Sequence, residues 1–297
     1  MYHKPVLLQE SIEGLAIKPD GIYVDGTYGG GGHSEEILVR IPNGRLIAFD
    51  QDEDALVNKT EDERLILINH NFRYLKNFLK YYNLVPVDGI LVDLGVSSHQ
   101  FDSNTRGFSM RHDADLDMRM NRKQTKTAKM ILNESPENEL KNIFWLYGEL
   151  DEAPAIVSAI IRKRSAQAIS TFQHLEQTIG HLAPRGQENK FFARVLQALR
   201  IEINQEIEAL KDFLLQTADV LKTGGRLVII SYHSLEDRIA KNFIRSGNFE
   251  GIVEKDFFGN EKRIFKAVNK KPIVPSSREV EENSRSRSAK LRIAEKI

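Results

Sequence analysis

The chain has 297 residues, 41% of them apolar and 28% charged, with 42 basic and 42 acidic side chains and no cysteine. That composition excludes disulfides and thiolate metal sites and describes a globular chain able to bury a core, as one large domain or two modest ones. No apolar run approaches the roughly 20 residues of a bilayer span, and residues 1–10 lack a basic segment followed by a long apolar run; the expectation is a cytoplasmic chain with no membrane partner.

The predicted elements alternate at first. Residues 21–25, 45–50, 64–68 and 88–93 read as short strands, and Leu75, Phe78, Leu79 and Tyr82 fall on one face of a helix over residues 72–82. This is the pattern of a parallel sheet covered by helices. From about residue 105 to 204 no strand is expected and helices are, over residues 137–147, 155–164 and 191–199. Alternation returns with a helix over 205–221, a turn at Gly224-Gly225 and a strand over 226–231. Runs at 252–254 and 264–268 suggest a terminal hairpin, and residues 276–288 read as irregular. The expectation is therefore an α/β domain over 1–104 and 205–297, interrupted by an all-helical domain over 105–204.

Formal charge is zero, but it is unevenly spread. Residues 262–297 hold 11 basic against 4 acidic side chains, and residues 105–130 hold 7 against 3. Local basic surfaces of this kind can hold phosphates on a neutral molecule. Phe108, Phe257, Phe258 and Phe265 lie near them as candidates for base stacking or core.

The most informative stretch is Asp25-Gly26-Thr27-Tyr28-Gly29-Gly30-Gly31-Gly32-His33-Ser34. Successive glycines after a strand let backbone approach a ligand, and a helix starting beyond them would turn its N–H groups to the site. Asp50 ends the next strand, where an acid binds ribose hydroxyls in doubly wound folds. The spacing Gly-x-Gly-x-x-Gly fails at Ser34, and the phosphate-loop ending is absent. That disfavours a pyrophosphate ligand such as NAD and suits S-adenosylmethionine. Asp25, Asp50 and Asp93 each end a predicted strand and face one crevice.

Further segments carry a resemblance: Pro5-Val6-Leu7-Leu8, Asp93-Leu94-Gly95-Val96-Ser97-Ser98, Arg106-Gly107-Phe108-Ser109, Leu116-Asp117-Met118-Arg119-Met120, Gln197-Ala198-Leu199-Arg200-Ile201, Ser231-Tyr232-His233-Ser234-Leu235-Glu236-Asp237-Arg238 and Arg285-Ser286-Arg287-Ser288-Ala289-Lys290-Leu291-Arg292. With the glycine loop, and over the whole chain, they resemble the bacterial 16S ribosomal RNA cytosine-N4 methyltransferases. The resemblance implies a Rossmann-like S-adenosylmethionine-dependent methyltransferase fold with an inserted helical, substrate-recognition domain. It implies a cytidine in the decoding region of the small ribosomal subunit as substrate, and cofactor contacts at Gly31, Gly32, His33, Asp50, Phe72, Asp93 and Gln100. The chain departs from the family's pattern at Asp115 and Thr223, where Pro is usual, and at Leu196, where Phe is usual.

The Asn/Asp-Pro-Pro-aromatic stretch of many amino-methyltransferases is absent, and residues 93–98 take its place. Catalytic candidates are Asp93, Ser97, Asp117 and His233. Against function stand a turn cap for Ser97, a salt bridge with Arg119 for Asp117 and a structural role for His233. No metal is expected, and homodimerisation is left open. Competing readings are a methyltransferase acting on DNA or a small molecule, a ribosome-assembly factor with a vestigial site, and an NAD-linked oxidoreductase.

Overall fold

Buried apolar runs set the first part of the fold. In a computed structural model, which describes residues 5–111 and 113–297, helix α1 (Leu8–Leu15) precedes β1 (Ile22–Asp25), α2 (Gly32–Arg40), β2 (Arg45–Phe49), β3 (Leu65–Ile68), α3 (Leu75–Tyr81) and β4 (Val87–Asp93). Residues 1–4, the start of the segment expected to be leader-free, and His112, in the basic segment 105–130, lie outside the described residues. Every side chain from Val87 to Val92 is buried, as expected of a strand covered on both faces. The helix expected over 72–82 divides into a 3-10 turn, Phe72–Tyr74, and α3, whose buried residues are Leu75 and Leu79.

The chain forms two compact units, Met1–Gly95 with Ile207–Ile297, and Val96–Glu206. The second holds α4 (Ser98–Asp102), α5 (Ala128–Glu134), α6 (Glu137–Leu146), α7 (Ala153–Arg164), α8 (Phe172–Ile179) and α9 (Glu188–Asn204). Its core draws Leu132, Phe144, Ile156, Leu175, Val195 and Leu199 from these helices. The unit begins at Val96, before the residue 105 expected from sequence, because Val96 and Phe101 pack against that core. Its two motif segments are knotted together. The buried Arg106 donates to the carbonyls of Arg119 (2.8 Å) and Met120 (3.1 Å), while the Met118 N–H donates to the Arg106 carbonyl at 2.9 Å. Gly107 has φ +71°, and a Cβ there would lie 2.4 Å from the Asp115 carbonyl oxygen, so the crossing requires glycine. Asn204 seals the knot: its Oδ1 accepts the Met120 N–H and its Nδ2 donates to the Met118 carbonyl. Such a fully satisfied buried amide fixes one arrangement of the chain.

The chain then returns through α10 (Glu206–Val220), β5 (Leu221–Ser231), α11 (Ser234–Ser246), β6 (Phe265–Ala267), α12 (Ser277–Glu282) and β7 (Lys290–Lys296). The sheet order is β3-β2-β1-β4-β5-β7-β6, with β1 to β5 parallel and β7 antiparallel to both β5 and β6. This is a Rossmann-like sheet carrying an antiparallel strand between β5 and β6. Gly224 and Gly225 lie within β5, where its pairing with β4 breaks register, instead of forming a turn ahead of it.

Two expectations are corrected. The hairpin partner of Phe265–Ala267 is the C-terminal β7, whereas residues 252–254 lie in an excursion outside the sheet. The tail is ordered as α12 and a 3-10 turn, Ser284–Ser288, and the Glu279 carboxylate accepts the Leu7 N–H at 2.8 Å. Part of the basic excess is also spent internally: Arg292 and Lys290 pair with Asp237, and Lys126 with Glu139 and Glu202.

Candidate active site

Strand order reverses at β1, which lies between β2 and β4, and in open α/β sheets the loops leaving such a pair border the ligand crevice. The glycine loop leaves β1 there. Asp25, buried at the strand end, holds both sides of that loop, accepting the Thr27 N–H on Oδ1 (3.0 Å) and the Ser34 hydroxyl on Oδ2 (2.7 Å). The loop's Gly29 has φ +53° with nothing within 4 Å of where a Cβ would stand, which leaves bare backbone for a ligand. Beyond it the first turn of α2 has N–H groups at Gly32, His33 and Ser34 with no partner four residues back.

His33 does not offer its ring to this space. Its Nε2 lies 3.2 Å from the Val6 carbonyl, and burial pushes its pKa down to about 4, so it is a neutral donor fastening the N-terminal segment. Any ligand contact at His33 is through backbone.

Asp50, just beyond β2, completes the loop's support. Its Oδ2 accepts the Gly29 N–H and its Oδ1 the Asp52 N–H, both at 2.8 Å, which fixes the carboxylate's orientation. Phe72 sits beyond β3 with its ring edge-on to Phe213 at 5.1 Å, while Asn71 caps the turn and donates to Gln51.

Asp93 ends β4. Its backbone N–H donates to the Thr27 hydroxyl (2.7 Å) and its Oδ1 accepts the Tyr232 hydroxyl (2.8 Å). Burial, then the charges of Asp25 and Glu236, raise its pKa to about 7 against the opposing Tyr232 hydrogen bond. Asp25 is raised to about 7 chiefly by burial, with Asp50 adding to the shift against the Ser34 and Thr27 hydrogen bonds. Tyr232 is raised well above its ordinary value by burial and by Asp93. Among the described residues neither Asp25 nor Asp93 pairs with a cation. Asp88, at the opposite end of β4, shows the contrast: burial raises it, but Lys222 at 2.7 Å, the Ile22 N–H and Lys18 together outweigh that and hold it below the usual range.

His233 is explained by the start of α11. Glu236 accepts the Tyr232 N–H (3.0 Å), and its other oxygen lies 3.1 Å from His233 Nε2. The carboxylate thus fixes the backbone at Tyr232, whereas neither buried ring nitrogen of His233 makes a hydrogen bond among the described residues. In sequence, Tyr232 and Glu236 stand only as members of the segment 231–238, and the motif Asp25-Gly26-Thr27 is legible without its reach to β4.

In the helical unit, Ser97 and Gln100 form a capping box. The Ser97 Oγ accepts the Gln100 N–H (3.2 Å) and the Gln100 Oε1 accepts the Ser97 N–H (3.1 Å). The buried Gln100 side chain is thereby committed to starting α4. Ser97→Ala is expected to lower stability by about 1 kcal/mol, measured by denaturant unfolding; an unchanged midpoint would show that the capping box contributes nothing to the fold. Asp117 makes a bidentate pair with Arg119 (2.7 and 2.8 Å). Burial raises its pKa, but the Arg119 hydrogen bonds and charge outweigh this and lower it.

Bare backbone, helix N–H groups, the oriented Asp50 carboxylate and the two buried carboxyls of Asp25 and Asp93 fit an adenosine carrying a positive charge. They do not fit a pyrophosphate, which the carboxyls would repel.

The sequence profile of the MraW methylase family matches residues 1–297. Ribosomal RNA small subunit methyltransferase H of Christiangramia forsetii is 57% identical over 297 residues, covering 100% of this chain and 98% of that protein. The proteins of the same name from Flavobacterium johnsoniae (54% identical, 100% and 98% covered) and Bacteroides thetaiotaomicron (55%, 99% and 97%) are similar to the same extent.

Proposed function

Because the chain belongs to the MraW methylase family, we propose that it transfers a methyl group from S-adenosylmethionine to the N4 amine of a cytidine in small-subunit (16S) ribosomal RNA. The observation that carries this reading is the carboxyl cluster beside bare glycine backbone at the sheet's switch point, in a chain matched end to end by ribosomal RNA methyltransferases. The substrate in this reading is the small subunit in the cytoplasm, and the unit Val96–Glu206 recognises it.

When bound, the cofactor supplies an activated methyl on a cationic sulfur. The chain's residues do the rest. Asp50 holds the ribose hydroxyls, Phe72 borders the adenine, and the amides of Gly32 and His33 line the side of the glycine loop, with Gly31, whose N–H is bonded to the Tyr28 carbonyl, offering bare backbone. Asp93, aligned by Tyr232 and Thr27, faces the positive charge and accepts a hydrogen from the target amine. That amine is a weak nucleophile because its lone pair is delocalised into the ring, so orientation and an acceptor for its hydrogen are what an enzyme can add. The deep position of the carboxyls requires the base to leave its stack.

The test is transfer of labelled methyl from S-adenosylmethionine to small-subunit rRNA, followed by mass mapping. One labelled N4-methylcytidine is expected. Label on another base, or only on DNA or protein, would overturn the assignment.

A further inference from the structure

The structure separates the four aromatic rings that lie near basic sequence. Phe108 and Phe265 are core, 4% and 1% exposed, whereas Phe257 and Phe258 are 98% and 86% exposed. Two adjacent phenylalanines in water are costly, and these are presented by a built turn. The Asp256 N–H donates to the Asn260 carbonyl (2.8 Å) and the Gly259 N–H to the Asp256 carbonyl (3.0 Å). The Asp256 Oδ1 accepts the N–H groups of Phe258 (2.8 Å) and Asn260 (2.9 Å), and its Oδ2 accepts the Asn260 amide. Below the tip the Lys262 N–H donates to the Glu254 carbonyl at 2.9 Å. The rings stand at 87° with centroids 5.7 Å apart, so neither covers the other's face. Exposed Lys255 and Lys262 flank them; of the nearby acids, Asp256 is engaged in the turn and Glu261 pairs with Arg263, while exposed Glu254 stands beside Lys255.

We propose that this tip is a base-stacking contact for the RNA substrate, taking an unpaired nucleotide against Phe257 and Phe258 with Lys255 and Lys262 beside its phosphates. The inference rests on the reading of the preceding subsection. Rings that offer open faces on a hydrogen-bonded turn, with a lysine on either side, match what single-stranded nucleic acid requires: a π-face for each base and a cation near its phosphates. A purely apolar protein partner would leave the lysines desolvated without partners.

The test compares wild type with the double variants Phe257→Ala/Phe258→Ala, Phe257→Leu/Phe258→Leu and Phe257→Tyr/Phe258→Tyr. The readouts are binding to small-subunit rRNA, naked and in assembled subunits, and methyl transfer. Because the rings touch solvent, thermal unfolding should not move. The Ala and Leu variants are expected to raise the RNA Kd and KM about tenfold or more, with S-adenosylmethionine affinity and kcat at saturating RNA unchanged, and the Tyr variant to stay within about twofold. Unchanged RNA binding in the Ala variant would overturn the proposal. So would a Leu variant that behaves as wild type, since apolarity without a π-face would then suffice. If the wild type binds RNA through these rings yet transfers no methyl to it, the tip stands and the methyl-transfer reading falls.

Discussion

Asp93→Asn is expected to lower kcat for methyl transfer about 100- to 1000-fold, the scale of losing one preorganised electrostatic contact in a water-poor site. The substitution is nearly isosteric. Its amide oxygen can still accept the Tyr232 hydroxyl, and the backbone N–H keeps its bond to Thr27. What disappears is the negative charge and the capacity to take a hydrogen from the amine. The companion Tyr232→Phe isolates positioning. The Tyr232 hydrogen bond holds Asp93 down against burial, so its removal raises the Asp93 pKa above about 7 and moves the acid limb of the kcat profile to higher pH. A stopped-time methylation assay across pH reads both. An Asp93→Asn enzyme with near wild-type kcat would remove Asp93 from the chemistry, and a Tyr232→Phe profile shifted to lower pH would contradict the geometry.

S-adenosylmethionine affinity is expected to fall as pH drops from 8 to 6, by about tenfold for each carboxyl titrating near 7. Asp25 and Asp93 are the two carboxyls, raised by burial and by neighbouring acids. A cationic ligand favours their ionised forms, so protonation must be reversed on binding. The stability of the ligand-free protein should run the opposite way. Carboxyls whose folded pKa lies above the unfolded value bind more protons when folded, so their contribution declines as pH rises from about 4 to about 7. Isothermal titration with S-adenosylmethionine, and with the uncharged-sulfur product for comparison, checks the first statement, and denaturant unfolding the second. Equal pH dependence for both ligands would show that sulfonium charge is not what the carboxyls sense.

The parts of this architecture that sequence exposes are those with a short-range signature. The strands ending at Asp25 and Asp93 announce themselves as buried apolar runs, and the glycine loop by composition. The pairing of Ser97 with Gln100 follows the Ser-x-x-Gln pattern of a capping box and could have been read from spacing. Other features have no such signature. β7 has only Leu291, Ile293 and Ala294 as buried residues among charged neighbours, so its period is too short to stand out. Residues 252–254 are apolar enough to resemble a strand, but pairing partners are fixed by long-range register, which alternation cannot supply. Likewise the ring of His33 turns back to Val6, 27 residues earlier, a contact that loop composition does not encode.

The last strand to be made lies between two made earlier: β7 pairs with β5 on one side and β6 on the other. A ribosome synthesising this chain releases the unit Val96–Glu206 as one uninterrupted stretch, free to collapse on its own contacts. The sheet has to wait. Until Lys290–Lys296 clears the exit tunnel, β5 keeps an open edge and β6 has no neighbour, so each newly made molecule holds its carboxyl crevice on a half-finished scaffold until that strand is free to pair.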